Sequence, residues 1–241
     1  MTARTTADSM LVAFDADDTL WHNERMFTDT QERFRELLLR YCDEEVIEQR
    51  LYETEIRNLS HYGYGVKAFT LSMVETALDL TQGAVSGTEV RSILALGQEM
   101  LRAPVELLDG VAEVIPRLAS RYRLMVITKG DLMDQETKVA RSGLGDYFDY
   151  VEVVSRKDRD TYERVLNTHG GDPASFVMVG NSVRSDILPV AEMGAVAVHI
   201  PYHTTWVHEE VTDEALDGVP FTRLDTIAEV PAFLRGLSGD A

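Results

Sequence analysis

Residues 10–21 read MLVAFDADDTLW. Leu11 to Phe14 is a short unbroken apolar run, the pattern of a strand covered on both faces. It runs straight into Asp15, Asp17 and Asp18, and then Thr19. Carboxylates this close repel one another, and each loses hydration when buried. The group is therefore either a wet turn or the surroundings of a positive charge.

The chain changes character on the far side of this stretch. Between Asn23 and about Leu101, the segments FTDTQERFRELLLRYC, EEVIEQRLYETEI, VKAFTLSMVETALDL and EVRSILALGQEML repeat apolar residues at three- and four-residue spacing. They predict four amphipathic helices without a strand among them. HYGYG, with two glycines in three residues, separates the second from the third and reads as a turn with packed tyrosines, the alternative being that His61, Tyr62, Tyr64 and nearby Lys67 contact a leaving group. After Pro104 helices and strands alternate. Val111–Ser120, Leu132–Ser142, Asp160–Thr168 and Ile187–Met193 read as helices, and RLMVIT, YVEVVS, FVMVG and AVAVHI as strands. Such alternation predicts right-handed crossovers and a parallel sheet with helices on both faces. Met73, Met100 and Met133 fall in helical patterns and are expected in cores.

Composition narrows the function. The 241 residues carry 23 Lys plus Arg against 41 Asp plus Glu, a formal charge of −18. Such a surface repels phosphodiester backbones and anionic membranes, so neither nucleic acid nor membrane is an expected partner. A phosphate-bearing small molecule can bind only through a local positive site or a cation. The single cysteine, Cys42, cannot form an internal disulfide, and no apolar run reaches membrane-spanning length. A cytoplasmic protein is expected. Nothing in the sequence sets an oligomeric state.

Ligands of open parallel sheets sit outside the carboxyl ends of the strands. There the first strand gives Asp15 and Asp17, RLMVIT ends in Thr128, YVEVVS is followed by Lys157, and FVMVG leads into NSVRSD, which ends in Asp186. In order and type these residues resemble the motifs of the haloacid dehalogenase-like hydrolases, most of which are phosphatases. Phe14-Asp15-Ala16-Asp17-Asp18-Thr19-Leu20 fits the D-x-D-x-T-L motif, Thr128 the second motif, Lys157 the third and Gly180-Asn181-Ser182 with Asp186 the fourth. The resemblance spans roughly Leu11 to Ile200. It implies an α/β fold, with a Rossmann-like three-layer core around a central parallel sheet, built from residues 9–20 and 105–241. Residues 21–104 would form an inserted helical cap.

The resemblance also implies roles. Asp15 is the nucleophile that becomes an aspartyl phosphate, and Asp17 protonates the leaving alkoxide and then activates water. Thr128 and Lys157 complete the catalytic set and, with Asn181, bind substrate. Asp15, the main-chain carbonyl of Asp17, and Asp186 would hold Mg2+, which favours oxygen ligands. The substrate is then a small phosphorylated metabolite. Two positions depart from the family: Asn181 stands where many members carry an acid, and Asp158 follows Lys157 where proline is common.

Plainer readings stand beside these. DxD after a strand also serves as a turn and helix cap, Thr128 could precede a helix capped by Asp131, and Asp186 could itself be a cap. Lys129 and Lys138 compete with Lys157. Asp18 reads as a local hydrogen-bond acceptor or a salt-bridge partner, and Trp21 as filling space. His199, His203 and His208 within HIPYHTTWVHEE, with Glu209, suggest zinc but lack a preset metal spacing; they read as structural or surface histidines, one of which could line the rim of the site. Two other functions stay open: a 2-haloacid dehalogenase, whose departing halide needs no proton, and a non-catalytic phosphate-binding regulator.

Overall fold

A computed structural model describes residues 10–204, 206, 209, 211–212 and 216–238. His208 lies outside the described residues. The described chain divides into two compact units. One holds the chain up to Glu24, Val105–Thr128 and the chain from Thr137 on; the other holds Arg25–Pro104 with Lys129–Glu136.

The second unit is helical. It contains α1 (Glu24–Leu38, less its first residue), α2 (Glu44–Tyr62), α3 (Val66–Leu80) and α4 (Gly87–Arg102). Phe34, Leu38, Ile47, Leu51, Phe69, Met73, Ile93 and Met100 form its core. The apolar spacing is what sets this core: one stripe per helix turns inward and the charged faces turn to water. α2 runs on to Tyr62, beyond the periodic stretch that announced it, and stops at Gly63, whose φ of 71° favours glycine. The HYGYG turn is thus partly helix, and Tyr62 is exposed rather than packed.

The first unit is built on a six-stranded sheet. β1 (Leu11–Phe14), β2 (Arg123–Lys129), β3 (Tyr150–Val154), β4 (Phe176–Gly180), β5 (Val196–His199) and β6 (Thr222–Arg223) lie in the order β3-β2-β1-β4-β5-β6. β1 is parallel to β2 and to β4, with Phe14 opposite Val126 on one side and Val179 on the other. β4 is parallel to β5, and β5 to β6. Helices α5 (Val111–Ala119), α6 (Leu132–Arg141), α7 (Arg159–His169), α8 (Leu188–Glu192) and α9 (Val230–Ser238) follow in chain order.

Side chains alternate across the sheet, so each strand feeds two cores. Val12, Phe14, Val126, Val177 and Val179 enter one, with Val114, Ile115 and Leu234 from α5 and α9. Leu11, Ala13, Met125, Ile127 and Met178 enter the other, with Tyr162 and Val165 from α7. These are the three layers that the unbroken apolar strands require. The strand order reverses between β1 and β4, the crevice in which sheets of this kind hold ligands.

One core assignment fails. Met133 is 70% exposed. α6 buries Gln135 and Val139, four residues apart, and a residue two places before Gln135 faces the other way. Nor does apolar periodicity announce β6, only two residues long. Among the described residues no helix is long and apolar enough to cross a membrane.

Candidate active site

β1 delivers Asp15 beside β4, where its N–H donates to the Val179 carbonyl at 2.9 Å. The chain then turns tightly. Leu20 N–H donates to Ala16 O at 2.8 Å and Asp18 N–H to Trp21 O at 2.7 Å. Asp18 sits at φ 62°, a left-handed conformation that Asp tolerates better than most residues. Its carboxylate accepts the N–H groups of Asn23 at 2.8 Å and Glu24 at 3.1 Å, donors left open at the entry to α1. Of the two roles the sequence suggests for Asp18, the structure gives it that of local acceptor.

Asp15 faces a cation. The Lys157 ammonium contacts Asp15 Oδ1 and lies 2.7 Å from Asp186 Oδ1. All three groups are buried. Of the three competing lysines, Lys157 is the one that meets Asp15. Asp158 caps α7, its side chain accepting Thr161 N–H at 2.9 Å, so the loop carrying Lys157 is anchored without a proline.

Asp186 comes from an unusual turn. β4 ends at Gly180, and Val183–Ile187 form a single π-helical turn. Ser182 N–H donates to Asp186 Oδ2 at 3.0 Å, and Ser182 Oγ accepts Ser185 N–H at 3.1 Å. Ser182, not Asp186, is the cap of this turn. The hydroxyls of Ser182 and Ser185 both donate to Glu209 Oε2, at 2.6 and 2.5 Å. Buried Tyr162 donates to Ser185 O at 3.0 Å, with Asp186 Oδ1 3.5 Å away.

Asn181 joins through Thr19. The Thr19 hydroxyl is 3.2 Å from Asp15 Oδ2 and 3.3 Å from Asn181 Oδ1, so one proton is shared between two acceptors. Thr128 is buried, two residues beyond the Val126–Phe14 pair, at the end of the strand next to Asp15. Asp17 points elsewhere: Trp21 Nε1 donates to its Oδ1 at 2.7 Å, and Lys138 Nζ lies 3.0 and 3.2 Å from its two oxygens. Thr19 and Tyr162 carry no site role in the sequence reading, Lys138 enters it only as a rival of Lys157, and Glu209 only beside the histidines. Thr19 lies inside the first motif, but Tyr162 has no local signal.

Burial first of all pushes the Asp15 carboxyl up to about 7; Lys157 opposes the shift and Asp186 adds to it. Burial by itself would depress the Lys157 amine, but the carboxylates of Asp15 and Asp186 outweigh it and hold the amine above its ordinary value. Asp18 and Glu24 are also pushed up to about 7, again by burial before neighbouring charge. Two buried carboxylates thus share one ammonium, a local excess of negative charge that suits a cation. Among the described residues no group of three or more His, Cys, Asp or Glu side chains is placed to hold a metal. Mg2+ needs no such cage, since one or two carboxylates, water and substrate phosphate suffice. In the histidine-rich segment, His199 Nε2 is 3.0 Å from Asn181 O and His203 stacks on Tyr202.

A family model described as haloacid dehalogenase-like hydrolase matches residues 10–194. A haloacid dehalogenase-like family hydrolase from Xanthomonas campestris is 38% identical, with a TM-score of 0.84 over 95% of this chain and 92% of that one. A 2-haloacid dehalogenase from Pseudomonas syringae, 21% identical, shares the fold at a TM-score of 0.62 over 95% of this chain and 99% of that one. The human N-acylneuraminate-9-phosphatase is 26% identical over 138 residues, 54% of this chain and 53% of the relative. The chain spans about half the length of the curated relatives it matches.

Proposed function

The chain belongs to the haloacid dehalogenase-like hydrolases, and on that premise we propose that it is a Mg2+-dependent phosphomonoester hydrolase acting on a small phosphorylated metabolite. The observation that carries this reading is the Lys157 ammonium between the carboxylates of Asp15 and Asp186, with Asp17 two residues past the nucleophile. An oxygen of Asp15 attacks phosphorus. The new aspartyl P–O bond forms as the ester P–O bond breaks, and Asp17 gives its proton to the leaving alkoxide. Asp17 then takes a proton from water, which attacks the same phosphorus as the Asp15 O–P bond breaks, regenerating the carboxylate and releasing phosphate. Lys157 has a third N–H for a phosphoryl oxygen, and Thr128 supplies a hydroxyl. Asp15, Asp186 and the Asp17 carbonyl would hold Mg2+, which supplies positive charge to the phosphoryl oxygens when bound.

In this reading residues 9–20 and 105–241 serve as the catalytic core, residues 21–104 as the substrate-selecting cap, and the cytoplasm is the place of action. A dehalogenase of the same fold is the weaker reading, because a halide leaves without a proton and gives Asp17 none to carry. A phosphate-binding regulator would likewise need no proton carrier. The deciding experiment is to incubate purified protein and Mg2+ with a panel of phosphorylated metabolites, with chloroacetate as the control. Phosphate release on members of the panel is expected. Chloride release from chloroacetate, with none of the phosphates turned over, would replace the reading with dehalogenation.

A further inference from the structure

Asp17 has donors of its own, separate from the lysine that serves Asp15. The indole Nε1 of Trp21 donates to Asp17 Oδ1 at 2.7 Å, and the Lys138 ammonium is 3.0 Å from Oδ1 and 3.2 Å from Oδ2. The ammonium also donates to Asn23 Oδ1 at 2.8 Å. Among its described contacts it therefore meets three oxygens. Trp21 is fully buried, and the Lys138 side chain is only 13% exposed against 21% for Asp17. An exposed ion pair contributes little and orients nothing. This one differs, because a rigid buried indole and an ammonium fixed by a second partner both constrain one carboxylate.

The local chain explains the arrangement. The tight turn over residues 16–21 folds Trp21 back onto Asp17, with the Asp18 N–H closing on the Trp21 carbonyl at 2.7 Å. Lys138 reaches in from α6, whose Gln135 and Val139 are buried. Lys157 meanwhile is engaged by Asp15 and Asp186. The two lysines thus attend to two different acids.

We infer that Lys138 is a positioning residue for Asp17: with Trp21 it aims the carboxylate that carries the proton in the reaction proposed above, and the inference rests on that reading. Misplacing a reacting group by about 1 Å can cost on the order of a hundredfold in rate. The loss falls on steps that use the group. Removing the ammonium therefore harms substrates whose leaving group needs a proton and spares those whose leaving group does not.

The test uses Lys138→Met, which keeps the aliphatic stem, Lys138→Arg, which restores a cation, and Asn23→Ala, which leaves the ammonium but removes the Asn23 oxygen. Two readouts are taken. The first is the Trp21 indole N–H resonance, assigned through Trp21→Phe and read without any substrate. It should move in Lys138→Met, move less in Asn23→Ala and return towards wild type in Lys138→Arg. The second is kcat/KM for an alkyl phosphate and for p-nitrophenyl phosphate. Lys138→Met should lower the first about a hundredfold and the second much less. Combined with Asp17→Asn it should add no further loss, as expected of residues acting as one unit. An unmoved indole resonance overturns the inference, as does an equal loss on both substrates that adds to the loss from Asp17→Asn. If the resonance moves as expected while wild type hydrolyses no phosphomonoester, the hold of Lys138 on Asp17 is supported and the proposed reaction is what fails.

Discussion

A side chain on Gly180 would collide with Asp186. A Cβ built at Gly180 lies 2.3 Å from Asp186 Oδ2 and 2.6 Å from Asp186 Cβ, closer than real Cβ contacts come. The glycine is there for space, so that the π-helical turn can fold the carboxylate back over the end of β4. Gly180→Ala is expected to displace Asp186 from Lys157, and with it to lower activity by an amount like that of Asp186→Ala. Thermal unfolding should change less than activity, since Gly180 ends the strand. A Gly180→Ala enzyme with wild-type kcat/KM would show that the close approach has no bearing on the site.

The crowded acids predict an inverted pH dependence of stability. Asp18 and Glu24 are pushed up to about 7, chiefly by burial, whereas unfolded carboxylates titrate near 4. Folded protein therefore binds the extra protons between these values, and its stability falls as pH rises through that window. With metal removed, Asp15 acts in the same direction. Asp18→Asn keeps an oxygen for the Asn23 and Glu24 N–H groups and tolerates the left-handed backbone, so it removes charge without removing the cap. The metal-free variant should melt several degrees higher than wild type at about pH 8, at roughly 2–4 °C per kcal/mol, and the gap should narrow as pH falls through about 5 and close at about pH 3. Melting curves that stay parallel across this range would contradict the assignment.

Metal affinity should respond to Asn181. Its amide sits 3.3 Å from the Thr19 hydroxyl, which also reaches Asp15. An acid at this position adds negative charge beside a divalent ion, and outer contacts of this kind typically change affinity about ten- to a hundredfold. Asn181→Asp should therefore lower the Mg2+ concentration needed for half-maximal activity, and Asp186→Ala should raise it steeply or abolish activity. Direct calorimetric titration of Mg2+ should follow the same order. Activity that survives EDTA would remove the metal from the account.

Much of this was legible because parallel strands are written as unbroken apolar runs. LVAF and FVMVG need no partner information to be read, and polar residues just beyond them fall at one edge of the sheet by topology alone. What stayed hidden depends on distance in space. Trp21 looked like packing, and it does pack, but nothing in its spacing shows an indole bonded to Asp17. Lys138 stood out only as a rival to Lys157, since which lysine meets which acid depends on how α6 and α7 lie on the sheet. Glu209 reaches Ser182 and Ser185 from a loop that carries no periodic pattern. Met133 shows the converse failure, an apolar residue whose helical face is the exposed one.

The central claim is that Asp15 forms a covalent bond to phosphorus. The most direct measurement is to quench the enzyme in acid during turnover of a phosphomonoester with Mg2+, digest it, and locate the phosphoryl group by mass spectrometry. The group should lie on the Asp15 carboxylate, accumulate further in Asp17→Asn when p-nitrophenyl phosphate, whose leaving group needs no proton, is the substrate and water activation fails, and be missing from Asp15→Asn. Phosphate released by Asp15→Asn at a rate near that of wild type, with no adduct on Asp15 in either protein, would contradict the account.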